Sequence, residues 1–247
     1  MLHPIHLVAG SLAGRAAGAA AAAALDAAPP AAAAVLGAGA LGTLGIASMA
    51  PSLQAFGPAV CRAAHPTGAA LTFDDGPVPG ATEALCEALG SARGTFFLLA
   101  DRAAARRPGP PPRRRRPRAR PARPRHDASL TVQAPARGAA RLRDAAAQLE
   151  DLGGQPIRWY RPPFGATSPR LAEAVRLAGL TTVWCSVRPF DGGLAPRWWV
   201  RGRLRRVGPG DIVLLHEGLR AAALVPEAVA GLRARGLRAV TVGEVLA

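Results

Sequence analysis

Four stretches of this chain carry residues whose types and placement suit hydrolytic chemistry. Leu71-Thr72-Phe73-Asp74-Asp75-Gly76-Pro77 sets two adjacent carboxylates after an apolar run and closes with a turn-forming Gly-Pro. Arg161 opens Arg161-Pro162-Pro163-Phe164-Gly165, Asp191 ends a run that begins at Trp184, and His216 follows Ile212-Val213-Leu214-Leu215. Of two neighbouring acids, one can hold a metal while the other takes a proton from water. A histidine can hand a proton to a poor leaving group near neutral pH. Taken singly, each has an ordinary reading: a charge past an apolar strand is solvation, and Asp-Asp-Gly serves equally as an Asx turn. Two acids, an arginine, an aspartate and a histidine at successive strand ends fit a catalytic constellation better.

Those strand ends belong to a regular alternation. Strands are expected over 69–73, 94–99, 157–160, 180–187, 212–215 and 237–242. Helices are expected over 82–89, closed by Gly90, and from Asp101 as a cap. A further helix spans 139–152 and ends at Gly153-Gly154, and others span 196–207 and 225–235. Ser168-Pro169 reads as an N-cap with proline at the first helical position, and Leu171, Ala174, Val175 and Ala178 form the buried stripe before Gly179. Strand and helix in turn argue a parallel α/β sheet or barrel, with its chemistry at the C-terminal strand ends. Of the adjacent Trp198 and Trp199, one is expected in the core.

Composition bounds the rest. The chain has 247 residues and no lysine; all 31 basic side chains are arginine. Ala, Gly, Pro and Arg are the residues of GC-rich codons, so arginine richness is weak evidence for nucleic-acid binding, and no nucleic-acid partner is expected. Ten of the arginines and seven prolines fall in residues 106–125, which hold no acid. Three widely spaced cysteines form no ligand pattern. Residues 1–52 are apolar and small. Ala31–Ala50 is an uncharged run of 20 residues, long enough to cross a bilayer, while the stretch from Leu7 to Leu25 carries Arg15 in its middle. Membrane attachment through residues 7–50 is therefore expected, with a signal peptide or an Ala-rich leader as the plainer reading. The sidedness of the attachment stays open.

TFDDGP at 72–77, RPPFG at 161–165, WCSVRPFD at 184–191 and IVLLH at 212–216 resemble, in this order, four motifs of the metal-dependent polysaccharide deacetylases of carbohydrate esterase family four. The resemblance covers residues 68–247. It implies a distorted (β/α) barrel with fewer than eight complete units. It also implies removal of N-acetyl groups from an amino-sugar polysaccharide of chitin or peptidoglycan type, with zinc, or cobalt or manganese, as cofactor. By position Asp74 resembles the general base and Asp75 the metal-binding carboxylate. Arg161 resembles the residue that orients the base, Asp191 the one that holds that arginine, and His216 the general acid. The membrane segment would put this activity at the cell envelope.

One departure stands out. The family's histidine pair with three residues between, which supplies the other metal ligands, is missing, and its two positions fall on Arg123 and Asp127. His126 is one place off and has no partner at Ala122, so His126 and Asp127 are the only candidates near Asp75. Arg188 also stands where the fourth motif has an acid. The gap coincides with the Arg/Pro tract, whose composition is that of GC-rich codons read in a shifted frame. Two other readings stay open: a basic arm for anionic glycans, nucleic acid or lipid headgroups, and a metal-free relative. The corresponding functions are an N-deacetylase, or a catalytically inactive glycan- or polyanion-binding envelope protein.

Overall fold

A computed structural model describes residues 51–64, 67–105, 128–193 and 195–247. The chain divides into Met1–Ala47 and Ser48–Ala247, and the described residues all belong to the second unit. The expected membrane segment 7–50, the tract 106–125, His126 and Asp127 lie outside the described residues. Among the described residues no helix is long and apolar enough to cross a membrane.

In chain order the elements are β1 (Gly68–Gly76), α1 (Ala81–Leu89), β2 (Thr95–Leu98), α2 (Ala100–Ala105), α3 (Pro135–Gly153), β3 (Trp159–Tyr160) and α4 (Pro169–Leu177). There follow β4 (Thr181–Thr182), α5 (Arg197–Leu204), β5 (Ile212–His216), α6 (Leu219–Ala222), α7 (Val225–Arg233), β6 (Arg238–Val240) and α8 (Val242–Val245). Every strand pair is parallel. The central strand is β1. It pairs along one edge with β5, from Ala70↔Ile212 to Asp74↔His216. Its other edge takes β6 first, over Gly68–Ala70, and then β2 from Thr72 onward.

β1 is buried on both sides through Phe73, as a central parallel strand must be. Alternation divides its side chains between two environments. Ala69, Leu71 and Phe73 pack with Leu85 and Leu89 of α1, Val213 and Leu215 of β5, and Val229 and Leu232 of α7. The even positions face the other way: Ala70 packs with Ile212, Val183 and Val240, and Thr72 and Asp74 follow it along the strand. β5 repeats the pattern, with Ile212, Leu214 and His216 opposite its helix-facing Val213 and Leu215.

The strand expected over 180–187 is much shorter, because that segment changes partners as it runs. Thr181 and Val183 bond to the backbone around β3, Trp184 donates to Val60 O, and Ser186 and Val187 donate to Ile212 O. No single ladder is long enough to be one strand, yet the segment links the β3–β4 pair to β5 through the bridges Val60↔Val183 and Val187↔Val213. The strand expected over 157–160 shrinks to β3 because Ile157 N donates to the Glu150 side chain (2.7 Å). α2 begins at Ala100, so Asp101 sits in its first turn and is not its cap. Ser168 caps α4 as expected, accepting from Leu171 N at 3.1 Å. Neither Trp198 nor Trp199 is core; both are exposed and meet edge-on, with ring centroids 6.0 Å apart.

Candidate active site

The parallel register of β1 and β5 sets Asp74 and His216 side by side at the C-terminal ends of adjacent strands, on the face opposite the one packed against α1 and α7. Beyond Asp74 the pairing with β2 slips: Asp74 stands opposite Phe97 and Gly76 opposite Leu98, so Asp75 is a bulged residue, with φ 72°. A bulge breaks the strict alternation of a strand and re-aims the side chain it carries. Consecutive acids that would point to opposite faces thereby both line one cavity of about 850 Å³, together with Arg161, Trp184, Arg188 and His216.

Arg161 reaches across the face. Its Nη1 donates to Asp74 Oδ1 and to Thr72 Oγ1, both at 2.7 Å, its Nη2 to Trp184 O at 3.1 Å and its Nε to Val183 O at 3.3 Å. The guanidinium lies 4.1 Å from the centroid of the Phe97 ring. Its side chain is 3% exposed and that of Asp74 15%, so the pair is secluded from water and geometrically fixed. Burial pushes the Asp74 carboxyl above the usual carboxylate range, against the downward pull of Arg161 and His216.

Asp191 corrects the sequence reading. It makes no bond to Arg161, which donates instead to Thr72, Asp74, Val183 and Trp184. Both of its oxygens go to His216: Oδ1 to the ring Nδ1 at 3.0 Å and Oδ2 to the backbone N at 2.9 Å. Asp191 is buried and acts as acceptor, so Nδ1 carries the hydrogen. The ring is 30% exposed and lines the cavity. The Asp191 hydrogen bond lifts the His216 pKa above its ordinary value, opposed by burial and aided by the charges of Asp191, Asp74 and Asp75.

The turns around these groups are tightly specified. Asp75, Phe164 and Phe190 all have φ near +60° to +70°, a conformation that non-glycine residues adopt mainly where surrounding structure imposes it. Gly192 is required by closeness: a Cβ there would stand 2.9 Å from His216 Nδ1. Sequence reasoning missed Thr72, Phe97 and Gly192. Thr72 was findable, since it lies two residues before Asp74 on the same strand face; Phe97 and Gly192 act through contacts distant in sequence.

The described residues bring Asp74, Asp75, Arg161, Asp191 and His216 to one end of the sheet, while His126 and Asp127 lie outside them. A catalytic zinc takes three protein ligands. Among the described residues no group of three His, Cys, Asp or Glu side chains is placed to hold a metal. Asp74 is paired with Arg161, and His216 Nδ1 is bound to Asp191. The described donors therefore do not fit a complete zinc, cobalt or manganese site.

The chain is 32% identical over 174 residues to a chitooligosaccharide deacetylase of Azorhizobium caulinodans, covering 60% of this chain and 72% of the relative. It belongs to the polysaccharide deacetylases of carbohydrate esterase family four. No family model matches the chain. In fold this deacetylase-family chain is similar to a family 4 carbohydrate esterase from Streptomyces lividans solved with acetate (TM-score 0.57, 23% identity, covering 71% of this chain and 93% of that one). It is similar also to a family pseudoenzyme from Bacillus anthracis (TM-score 0.58, 18% identity, covering 79% and 71%). Family fold thus occurs both with and without catalysis among its structural neighbours.

Proposed function

We propose that residues 68–247 form a distorted (β/α) barrel of fewer than eight units that removes N-acetyl groups from an amino-sugar polysaccharide at the cell envelope, tethered through the apolar segment 7–50. The observation that carries this reading is the Asp74–His216 juxtaposition, each member held by its own partner, Arg161 or Asp191. Asp74 accepts a proton from the water that attacks the acetamide carbonyl, and its burial strengthens it as a base. As the tetrahedral intermediate collapses, the C–N bond breaks and His216 gives its proton to the departing amine. Acetate and a free amino sugar leave. Arg161 fixes the base, and Asp191 fixes the ring and stabilises its protonated form. Because the described donors do not complete a metal site, no step is assigned to a metal.

The test is acetate release from N-acetylglucosamine oligomers and from peptidoglycan, using the full chain. Asp74→Asn and His216→Ala should each lower kcat by about 10²–10⁴-fold, the usual size of a lost acid or base. Acetate release unchanged by either substitution refutes the assignment. The incomplete donor set favours a second reading, a catalytically inactive glycan-binding protein on the same scaffold. It predicts binding of the same oligomers with no acetate from the unmodified chain.

A further inference from the structure

The cavity wall carries a cation that the mechanism above does not use. Arg188 lines the same cavity as Asp74 and His216, and stands where an acid is expected in that motif. Its guanidinium lies 5.2 Å from the Phe190 ring centroid and 5.9 Å from that of Trp184. No described residue gives it a hydrogen bond or an ion pair, and its Nε is buried without a partner. Arg203, whose Nε is likewise buried and unpartnered, approaches the same Phe190 ring at 6.0 Å. Stacking on aromatic faces uses the flat side of a guanidinium and leaves its in-plane N–H donors for a ligand. Of the acids that line the cavity, Asp74 is committed to Arg161, and no ion pair joins Arg188 to Asp75 or to any other described acid.

Resting on the deacetylase reading, we propose that Arg188, set over the Phe190 and Trp184 rings, is a carboxylate-binding subsite that selects amino-sugar substrates bearing an acidic group beside the reacting acetamide. A planar fork of N–H donors matches a carboxylate two-to-two. Chitin-type polymers are neutral, whereas peptidoglycan carries an ether-linked carboxylate on every second sugar. The subsite therefore points to the muramyl sugar of a peptide-free peptidoglycan strand.

The experiment is calorimetric binding, on the full chain, of a peptide-free N-acetylglucosaminyl–N-acetylmuramyl disaccharide and of its methyl ester, which keeps the shape and loses the charge. The unmodified protein should bind the acid about tenfold or more tightly than the ester, as expected for a charge-assisted pair. Arg188→Ala and Arg188→Gln should bring that ratio to about one, and Arg188→Lys should keep part of it, since a point charge lacks the fork. Unchanged melting temperatures in any one variant suffice for the comparison. No preference in the unmodified protein, a preference that survives in the variants, or no binding of either sugar overturns the proposal. Acetate measured in the same samples separates the two readings. Charge preference without acetate release keeps the subsite and refutes the deacetylase. Acetate release without charge preference does the reverse.

Discussion

At the residue scale the site is two opposed proton carriers whose ordinary pKa values have both been raised for different reasons. Burial raises Asp74, and the Asp191 hydrogen bond raises His216. The proposed mechanism needs Asp74 ionised and His216 protonated, so activity should rise as pH climbs through the Asp74 pKa and fall as it climbs through that of His216. The alkaline limb is accordingly placed above 6.5, the ordinary value for histidine. Asp191→Asn removes a charge and weakens the acceptor that stabilises the imidazolium, so the His216 pKa falls and the alkaline limb of kcat moves to lower pH. The acid limb, set by Asp74, should stay close to where it was. A pH–rate profile of the two proteins checks this; an unmoved alkaline limb would remove Asp191 from its role. The identity of the partner was not legible in the sequence. One acid near one arginine and one histidine allows two pairings, and the ring and backbone bonds of His216 to the two Asp191 oxygens make the choice.

At the scale of elements, the alternation of strand and helix was legible because each strand inserts a short apolar run between turn residues, and each helix repeats its apolar side at helical spacing. β1, β5 and α4 illustrate this, the last down to its Ser168 cap. The segment 180–187 was not legible in its true form. Its residues are as apolar and β-branched as a strand's, but it hands its hydrogen bonds from one neighbour to the next. The Asp75 bulge was equally hidden, since pairing register is a property of two strands. These irregular pieces carry the site, and they leave little room. Gly192 sits against the His216 ring, with the nearest three ring atoms between 2.9 and 3.2 Å from a Cβ placed there. Gly192→Ala must displace the ring or the loop, and with it the 3.0 Å bond to Asp191. The expected result is a fall in kcat on the order of tenfold to a hundredfold with little change in KM, because geometry is lost while the sugar-binding surface remains. Steady-state kinetics beside a thermal melt would separate this from simple unfolding; unchanged kcat would show that the loop yields without consequence.

At the scale of the molecule, the scaffold is that of the deacetylase family and the proposed acid–base pair suits a hydrolase, while the described donors stop short of a metal site. The chain's five histidines contain no pair with three residues between, and Arg123 and Asp127 occupy the positions where the family resemblance requires one. A zinc site built from one carboxylate lacks the imidazole donors that give such sites their affinity. The unmodified chain should therefore retain little zinc after dialysis, and a chelator should change its melting temperature little. The double substitution Arg123→His/Asp127→His puts imidazoles at the two sequence positions where the family resemblance requires them. It should raise zinc affinity by an order of magnitude or more and make the melting temperature zinc-dependent, since binding to the native state alone stabilises by mass action. Metal analysis and a thermal melt with and without chelator read both effects without requiring catalysis. Tight zinc retention by the unmodified chain would mean that other residues complete the site. Absence of any gain in the double variant would mean that the segment around 106–127 does not bring those positions to Asp75, and the scaffold would then be a glycan-binding relative of its catalytic kin.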